Sequence, residues 1–211
     1  MNCLDNLKVI KNEINSLQSK CNLIVVTKNR SFETILPIIL SGHSHFAENK
    51  VQEAKLKWCA FLSDKKKDIK LHLVGKLQSN KAKEAFALFD YIHTLDSLKL
   101  ARIFSQLENN SKKKIKYFIQ INIGNEIQKN GIDLSYAGEF INLCKNELKL
   151  NIVGLMCIPP VNLDPSPYFK KMEELNVKNN LVELSMGMSS DYKIAINFGS
   201  TYIRIGSAIF K

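Results

Sequence analysis

The sequence predicts an α/β fold, a single-domain (β/α)8 TIM barrel with an extra helix ahead of its first strand, on three observations. Eight short apolar or β-branched runs alternate with segments of helical spacing along the 211 residues, the pattern of a parallel α/β domain. No Pro/Gly/Ser-rich stretch divides the chain, so residues 1–211 are expected to share one core. The loop after the first run, Lys28-Asn29-Arg30-Ser31, holds no glycine, which weighs against a doubly wound open sheet with a GxGxxG turn at that point.

The elements follow in order. Leu4, Leu7, Ile10, Ile14 and Leu17 recur at three-and-four spacing and predict an amphipathic helix. Leu23 to Thr27 is strand one. Ser31 is placed to cap the next helix, in which Pro37 predicts a kink or a shifted start, and Ser41-Gly42 ends it. His45 to Ala47 is strand two, followed by a helix from Val51 to Leu62. Ile69 to Val74, closed by Gly75, is strand three, with a helix from Asn80 to Leu88. Tyr91 to His93 is strand four, and Leu98 to Leu107 its helix. Ile115 to Ile123 alternates and is β-branched, the clearest strand of all, with a helix from Leu134 to Leu143 behind it. Asn151 to Leu155 is strand six. Pro159-Pro160 and the Pro165/Pro167 pair interrupt regular structure before a helix from Tyr168 to Leu175. Leu181 to Leu184, a helix from Asp191 to Asn197, and Thr201 to Ile205 complete the count.

Composition narrows the function classes. The net charge is +10, but only three of the thirty basic residues are arginines, Arg30, Arg102 and Arg204. The runs Lys65-Lys66-Lys67 and Lys112-Lys113-Lys114 fall between elements without interleaved aromatics, as solvated loops do, so no specific nucleic-acid partner is expected. Five scattered cysteines with no CxxC pair argue for reduced thiols rather than a disulfide framework or a zinc site. His43 and His45 lack a third ligand at suitable spacing, and no metal is assigned. Near the start the longest apolar stretch is Ile35 to Leu40, and Met1 to Asp5 lack a signal-peptide pattern, so the expected location is cytoplasmic, away from membranes.

Barrel sites lie at the C-terminal ends of the strands, and phosphate is commonly held by the loops after strands seven and eight. Here those loops are Ser185-Met186-Gly187-Met188-Ser189-Ser190 and Gly206-Ser207. Both offer hydroxyls and backbone N–H groups that glycine lets approach an oxyanion. Arg204, two residues before Gly206, can point into the barrel, and a guanidinium that never loses its proton can donate to a pyridine nitrogen. Lys28 stands where strand one hands over to its loop. A lysine there, desolvated by the barrel walls and facing a phosphate cradle, is what a Schiff base with pyridoxal 5'-phosphate requires. Asn49, His72, Asn122 and Met156 lie at or near the ends of strands two, three, five and six, each equally compatible with a core or turn role.

Taken together, these residues resemble the pyridoxal phosphate homeostasis proteins, single-domain relatives of the alanine racemase barrel. The resemblance is carried by Val25-Val26-Thr27-Lys28, Phe46 to Glu53, His93-Thr94-Leu95-Asp96, Gly154-Leu155-Met156, Leu184 to Ser189, Arg204 to Phe210 and, most diagnostically, by His72-Leu73-Val74-Gly75-Lys76-Leu77-Gln78-Ser79-Asn80-Lys81. It implies an alanine racemase N-terminal-domain-like fold, Lys28 as the Schiff-base lysine, Arg204 facing the pyridine nitrogen, and Ser185, Gly206 and Ser207 at the phosphate. Asn49 and Met156 would line the cofactor. Two departures are Ala47 in place of a usual glycine, which is expected to disturb a tight backbone approach, and Lys50 in place of a common tyrosine.

The implied function is a carrier and regulator of pyridoxal phosphate without robust catalysis, with amino acids as further small-molecule partners and a monomer as the default. A pyridoxal-phosphate-dependent amino-acid racemase is the alternative. It needs a second acid/base on the opposite face, which alanine racemase takes from a second domain and a partner subunit, and none of the six tyrosines offers an evident substitute. A basic nucleic-acid-associated domain with an empty barrel is the third reading.

Overall fold

Eight parallel strands close on themselves in the computed structural model, which describes residues 2–63, 68–126 and 128–211. Met1 and the Lys65-Lys66-Lys67 run lie outside the described residues. In chain order the strands are β1 Asn22–Val26, β2 His45–Glu48, β3 Lys70–Leu73, β4 Tyr91–Leu95, β5 Lys116–Asn122, β6 Ile132–Asp133, β7 Ile152–Cys157, β8 Glu183–Ser185 and β9 Tyr202–Ile205. Their hydrogen-bonded order is β4-β3-β2-β1-β9-β8-β7-β5, and β5 pairs back onto β4 to close the barrel. The two-residue β6 only lengthens the edge of β5, at Ile121 and Asn122. The sixth, seventh and eighth strands expected from sequence are therefore β7, β8 and β9.

The helices are α1 Cys3–Ser16, α2 Phe32–Leu40, α3 Val51–Leu62, α4 Ala82–Leu88, α5 Leu98–Asn109, α6 Ala137–Asn142, α7 Ser166–Lys178 and α8 Tyr192–Asn197. Local chemistry sets their ends. Asn2 and Asp5 form a reciprocal capping box at the start of α1. Ser31 caps α2 by accepting from the Thr34 N–H, and Gly42 ends that helix at φ 83°. Pro37 stays inside α2 without moving its start.

Several boundaries differ from expectation for visible reasons. The Asp133 carboxylate accepts from both the N–H and the hydroxyl of Ser135. This turn uses residues expected to be helical, so α6 begins at Ala137 and runs into a π-helical turn over Leu143–Glu147. Asp164 does the same for Ser166, and Pro167 then sits in the first turn of α7 and helps to start it. β4 continues to Leu95, where it pairs with Ile119. In the lysine run, Lys114 pairs with the buried Glu108 carboxylate at 3.2 Å and Lys113 donates to the Ala87 carbonyl, so only Lys112 is the free solvated residue expected there.

Two apolar layers result. The larger, with Trp58, Phe104, Tyr117, Phe140 and Phe169 fully enclosed, fills the space between the strands and the surrounding helices. The smaller lies inside the barrel and joins Ile24, Ala47, Tyr91, Phe118, Met156 and Tyr202. The period of two along each strand decides which residues face inward. In β1 the inward set is Ile24 and Val26, and β9 offers Tyr202 and Arg204, with Ile24 level with Arg204 across the pairing.

Candidate functional site

At the C-terminal mouth a cavity of about 400 Å³ opens to solvent, lined by Lys28, Asn49, Arg204, Gly206, Ser207 and the Ser189-Ser190 pair, over an apolar slot of Val26, Val74 and Ile158. Strand parity explains the grouping. Val26 and Ala47 are level across the β1–β2 pairing, so two residues further on, Lys28 and Asn49 reach the rim together. Gly206 stands two residues beyond Arg204, and a methyl group there would meet the Val26 carbonyl at 3.2 Å. The constraint is stricter at Gly75, where a Cβ would collide with the backbone of Asn49.

Lys28 is exposed, not desolvated by the barrel walls as its strand-end position suggested. It lies on the loop beyond Thr27, at an open mouth, and its amine makes no hydrogen bond or ion pair among the described residues. Its backbone, by contrast, is held on both sides. Thr27 donates from its N–H to the Ala47 carbonyl and from its hydroxyl to the buried Glu48 Oε1 at 2.6 Å. Lys57, itself enclosed, donates to the Thr27 carbonyl (2.6 Å), to Glu48 Oε1 (2.8 Å) and to Glu53 Oε1 (3.1 Å). Trp58 donates its indole N–H to the same Glu48 oxygen. On the far side the Asn29 N–H donates to Glu53 Oε1 at 2.6 Å, with Asn29 at φ 57°.

Arg204 is 5% exposed, at the cavity floor. It donates from one nitrogen to Ser185 Oγ at 2.7 Å and from the other to the Cys157 carbonyl at 2.9 Å. Burial pulls its pKa down, but a guanidinium starts so far above neutrality that it keeps its proton. Burial also pushes the adjacent Cys157 thiol up to about 12, so it stays protonated and uncharged beside the arginine.

Of the seven residues expected at a cofactor, five therefore line one cavity. The other two lie beneath it. Met156 is enclosed in the inner barrel layer, and Ser185, fully buried at the end of β8, touches Arg204 rather than the cavity. Ala47 is in that same layer, so its methyl group packs inside the barrel instead of crowding the mouth. Lys50 lines a neighbouring hollow with Gln52, Lys76, Gln78 and Lys81. Sequence reasoning noted Ser189 and Ser190 only as part of a loop. Their place is fixed by Gly187 at φ 92°, by the Met188 N–H donating to Asp191, and by the Ala208 N–H donating to Ser189 Oγ across to the last loop.

Sequence reasoning also missed a chain of imidazoles beneath Arg204. Ser185 Oγ lies 2.8 Å from His93 Nδ1, His93 Nε2 lies 2.8 Å from His72 Nδ1, and His72 Nε2 lies 3.0 Å from His45 Nδ1. His72 stacks on Tyr91 and His93 on Phe118, with ring centroids 4.2 and 4.3 Å apart. The signal was available, because His45, His72 and His93 each occupy an inward-facing position of consecutive strands.

As a set, the wall has two cations and no carboxylate, two glycine- and serine-bearing loops, and an apolar slot. Asn49 Oδ1 is enclosed and has no hydrogen-bond partner among the described residues. The cavity therefore suits an anionic ligand with a flat apolar body, a hydrogen-bond donor for Asn49 and an acceptor for Arg204.

The comparisons point the same way. The model of the alanine racemase N-terminal domain matches residues 2–211. A pyridoxal phosphate homeostasis protein of Vibrio alginolyticus is 32% identical over 97% of this chain and 95% of its own length. The structure of PipY from Synechococcus elongatus PCC7942, with PLP bound, superposes with a TM-score of 0.88 at 32% identity, covering all of both chains. An alanine racemase of Clostridium difficile shares the fold alone, at 13% identity and a TM-score of 0.76, over 98% of this chain and 56% of that one.

Proposed function

The chain belongs to the alanine racemase N-terminal domain family and to the pyridoxal phosphate homeostasis proteins, and from that premise we propose that it binds pyridoxal 5'-phosphate in the mouth cavity and regulates its availability in the cell, without robust catalysis of its own. The observation that carries the reading is the meeting of an unengaged amine and a fixed guanidinium in one cavity without a carboxylate.

The residues present fit that cofactor. Lys28 supplies the nucleophile. Its amine would hold the cofactor through the aldehyde as a Schiff base, with one water released on binding and one taken up on release. Exposure of Lys28 suits exchange, because water and competing amines reach the bond. Gly206 and Ser207, with Ser189 and Ser190 opposite, would hold the phosphate, and Asn49 Oδ1 would accept from a hydroxyl of the ligand. Ser185 and Met156 support from below, Ser185 by accepting from Arg204. When bound, pyridoxal phosphate supplies an electron-withdrawing ring that can stabilise a carbanion. Arg204 opposes that use: as a donor that keeps its own proton, it holds a pyridine nitrogen unprotonated and weakens the electron sink.

A carrier is favoured over a racemase because, among the described residues, no tyrosine lines the cavity to face Lys28 across a bound ring. The proposal extends to one domain spanning 1–211, a monomer in the cytoplasm, and amino acids as ligands that exchange at Lys28. Dispersed lysines, with only three arginines in the chain, support the absence of a specific nucleic-acid partner. Among the described residues no helix is long and apolar enough to cross a membrane. Borohydride reduction of the protein loaded with pyridoxal phosphate, followed by peptide mapping, should place the label on Lys28. A label elsewhere, or a protein that takes up none, would remove the assignment, and enzyme-like deuterium exchange at the α-carbon of alanine would restore the racemase.

A further inference from the structure

Four side chains, Ser185, His93, His72 and His45, form one unbroken line of hydrogen bonds from the floor of the mouth cavity to the N-terminal end of the barrel. A polar line through an apolar interior is costly unless every member is satisfied. We propose that His93, His72 and His45 are positioning residues for Arg204, and that they couple a protonation event at the N-terminal mouth of the barrel to the hydrogen bonding of the guanidinium at the other. This rests on the functional reading above only in that Arg204 is the group that meets the cofactor.

The hydrogen count fixes how such a line behaves. A neutral imidazole has one N–H and one bare nitrogen, so each ring donates on one side and accepts on the other. His72 and His93 are fully enclosed, and burial, reinforced for His93 by Arg204, drives their pKa values well below the imidazole range, which keeps both neutral. The line therefore has two directions. In one, the Ser185 hydroxyl donates to His93 Nδ1, His93 Nε2 to His72 Nδ1, and His72 Nε2 to His45 Nδ1. In the other, each ring carries its hydrogen on Nδ1 and the line runs from His45 up to Ser185.

Arg204 decides between them. It has no acceptor, so Ser185 must accept from it in either direction. In the first direction the one hydrogen of Ser185 goes to His93. In the second, Ser185 accepts from both of its partners among the described residues, and that hydrogen has no acceptor. The first direction is thus the resting one.

His45 is the only ring of the line that reaches the surface, being half-buried at the start of β2. Lys70 and Asp68 face it from β3 and the segment before it, Lys116 from β5, Asp90 and Tyr91 from the β4 side, and Tyr202 from β9. Once charged, His45 carries hydrogens on both nitrogens and must donate to His72. That is compatible only with the second direction. Overall one proton is gained, at His45, while His72 and His93 exchange an Nε2 hydrogen for one on Nδ1 and Ser185 turns its hydroxyl away from His93. The bond that Ser185 offers Arg204 then competes with a second donor.

The test needs no cofactor. In protein labelled with 15N at its four histidines, long-range proton–nitrogen correlation reads the tautomer of each ring. At pH 8, His45, His72 and His93 should all be Nε2–H. As pH falls through the titration of His45, below the ordinary imidazole value, the two buried rings should convert to Nδ1–H with the same midpoint and stay neutral. The side-chain signal of Arg204, one of only three arginines, should move with them. In His45→Asn, a change at the accessible end of the line, the tautomers of His72 and His93 should no longer depend on pH. Fixed tautomers, independent titration of the buried rings, or an Arg204 signal that ignores the switch would each overturn the proposal. Pyridoxal phosphate absorbance forms a separate arm. A coupled switch in a protein that never takes up the cofactor sinks the functional reading and leaves the coupling standing, whereas normal uptake with uncoupled rings does the opposite.

Discussion

Lys28 and Arg204 face the same cavity, yet the fold restrains them in opposite ways. For Lys28 the backbone is clamped and the side chain is left without a hydrogen bond or ion pair among the described residues: Thr27 and Asn29 are bound by the Glu48–Lys57–Glu53 cluster, and the amine between them bonds to none of it. For Arg204 the side chain itself is clamped, by a neutral hydroxyl and a carbonyl. The difference separates the two tasks. A nucleophile has to move through attack and release, so only its base is fixed. An electrostatic anchor acts by not moving, so its charged end is fixed.

The sharpest way to break this comparison is to remove the mobile partner. Lys28→Ala should abolish borohydride-trappable pyridoxal phosphate. Stability should change by no more than about 0.5 kcal/mol in urea, the usual scale for an exposed side chain without partners. A large loss of stability would mean that the amine is part of the scaffold after all.

The next largest effect should come from the clamp beneath it. Glu48 Oε1 collects three donors in a fully buried setting. Glu48→Gln leaves the Lys57 charge enclosed with only Glu53 to balance it, at a cost of about 3 kcal/mol. Equilibrium unfolding would read that loss. Loading of Lys28 should slow in the same variant, while the Arg204 side of the cavity is untouched.

Acid should attack the Arg204 side first. Its footing is neutral imidazole, since burial holds the folded-state pKa values of His72 and His93 well below 6.5, and His43, outside that line against Phe46, is held at about 4 by the same cause. In the unfolded chain these rings take up protons below pH 6.5, so the unfolded state binds more protons and stability rises with pH over that window. The contribution is complete above the unfolded value and is lost as pH falls toward the folded one. His43 alone should cost roughly 2 kcal/mol at pH 5 relative to pH 8. Urea midpoints across pH 5 to 8 would check this, and a flat profile would place the histidines in water.

Much of this contrast is legible in the chain and part of it is not. The eight strands declare themselves as short apolar or β-branched runs, alternation being clear in Ile115 to Ile123, and the loops after the last two offer an anion the hydroxyls and backbone N–H groups of Ser and Gly. Parity goes further than strand ends do, since Ile24, Val26 and Lys28 are two apart, as are Tyr202, Arg204 and Gly206. The exposure of Lys28 is not legible, because it depends on how far the rim stands above the neighbouring loops. Nor is the late start of α6, where one Asp133–Ser135 turn outcompetes a helical pattern. The histidine line lies between these cases. Inward parity places the rings inside the barrel, but only the register between strands brings them nitrogen to nitrogen.

The smallest effect probes the clamp at its most local point. Asn29 holds φ 57°, a left-handed conformation that asparagine tolerates better than alanine and that glycine adopts freely. Its N–H bond to Glu53 comes from the backbone and survives substitution. Asn29→Ala should therefore cost about 1 kcal/mol, and Asn29→Gly close to none, with the hydrogen bond intact in both. If backbone restraint is what presents the amine, loading of Lys28 should slow in the alanine variant and recover in the glycine one. Equal loading in the two would mean that the side-chain freedom of Lys28 suffices on its own, and the division of labour between the two cations would lose its backbone half.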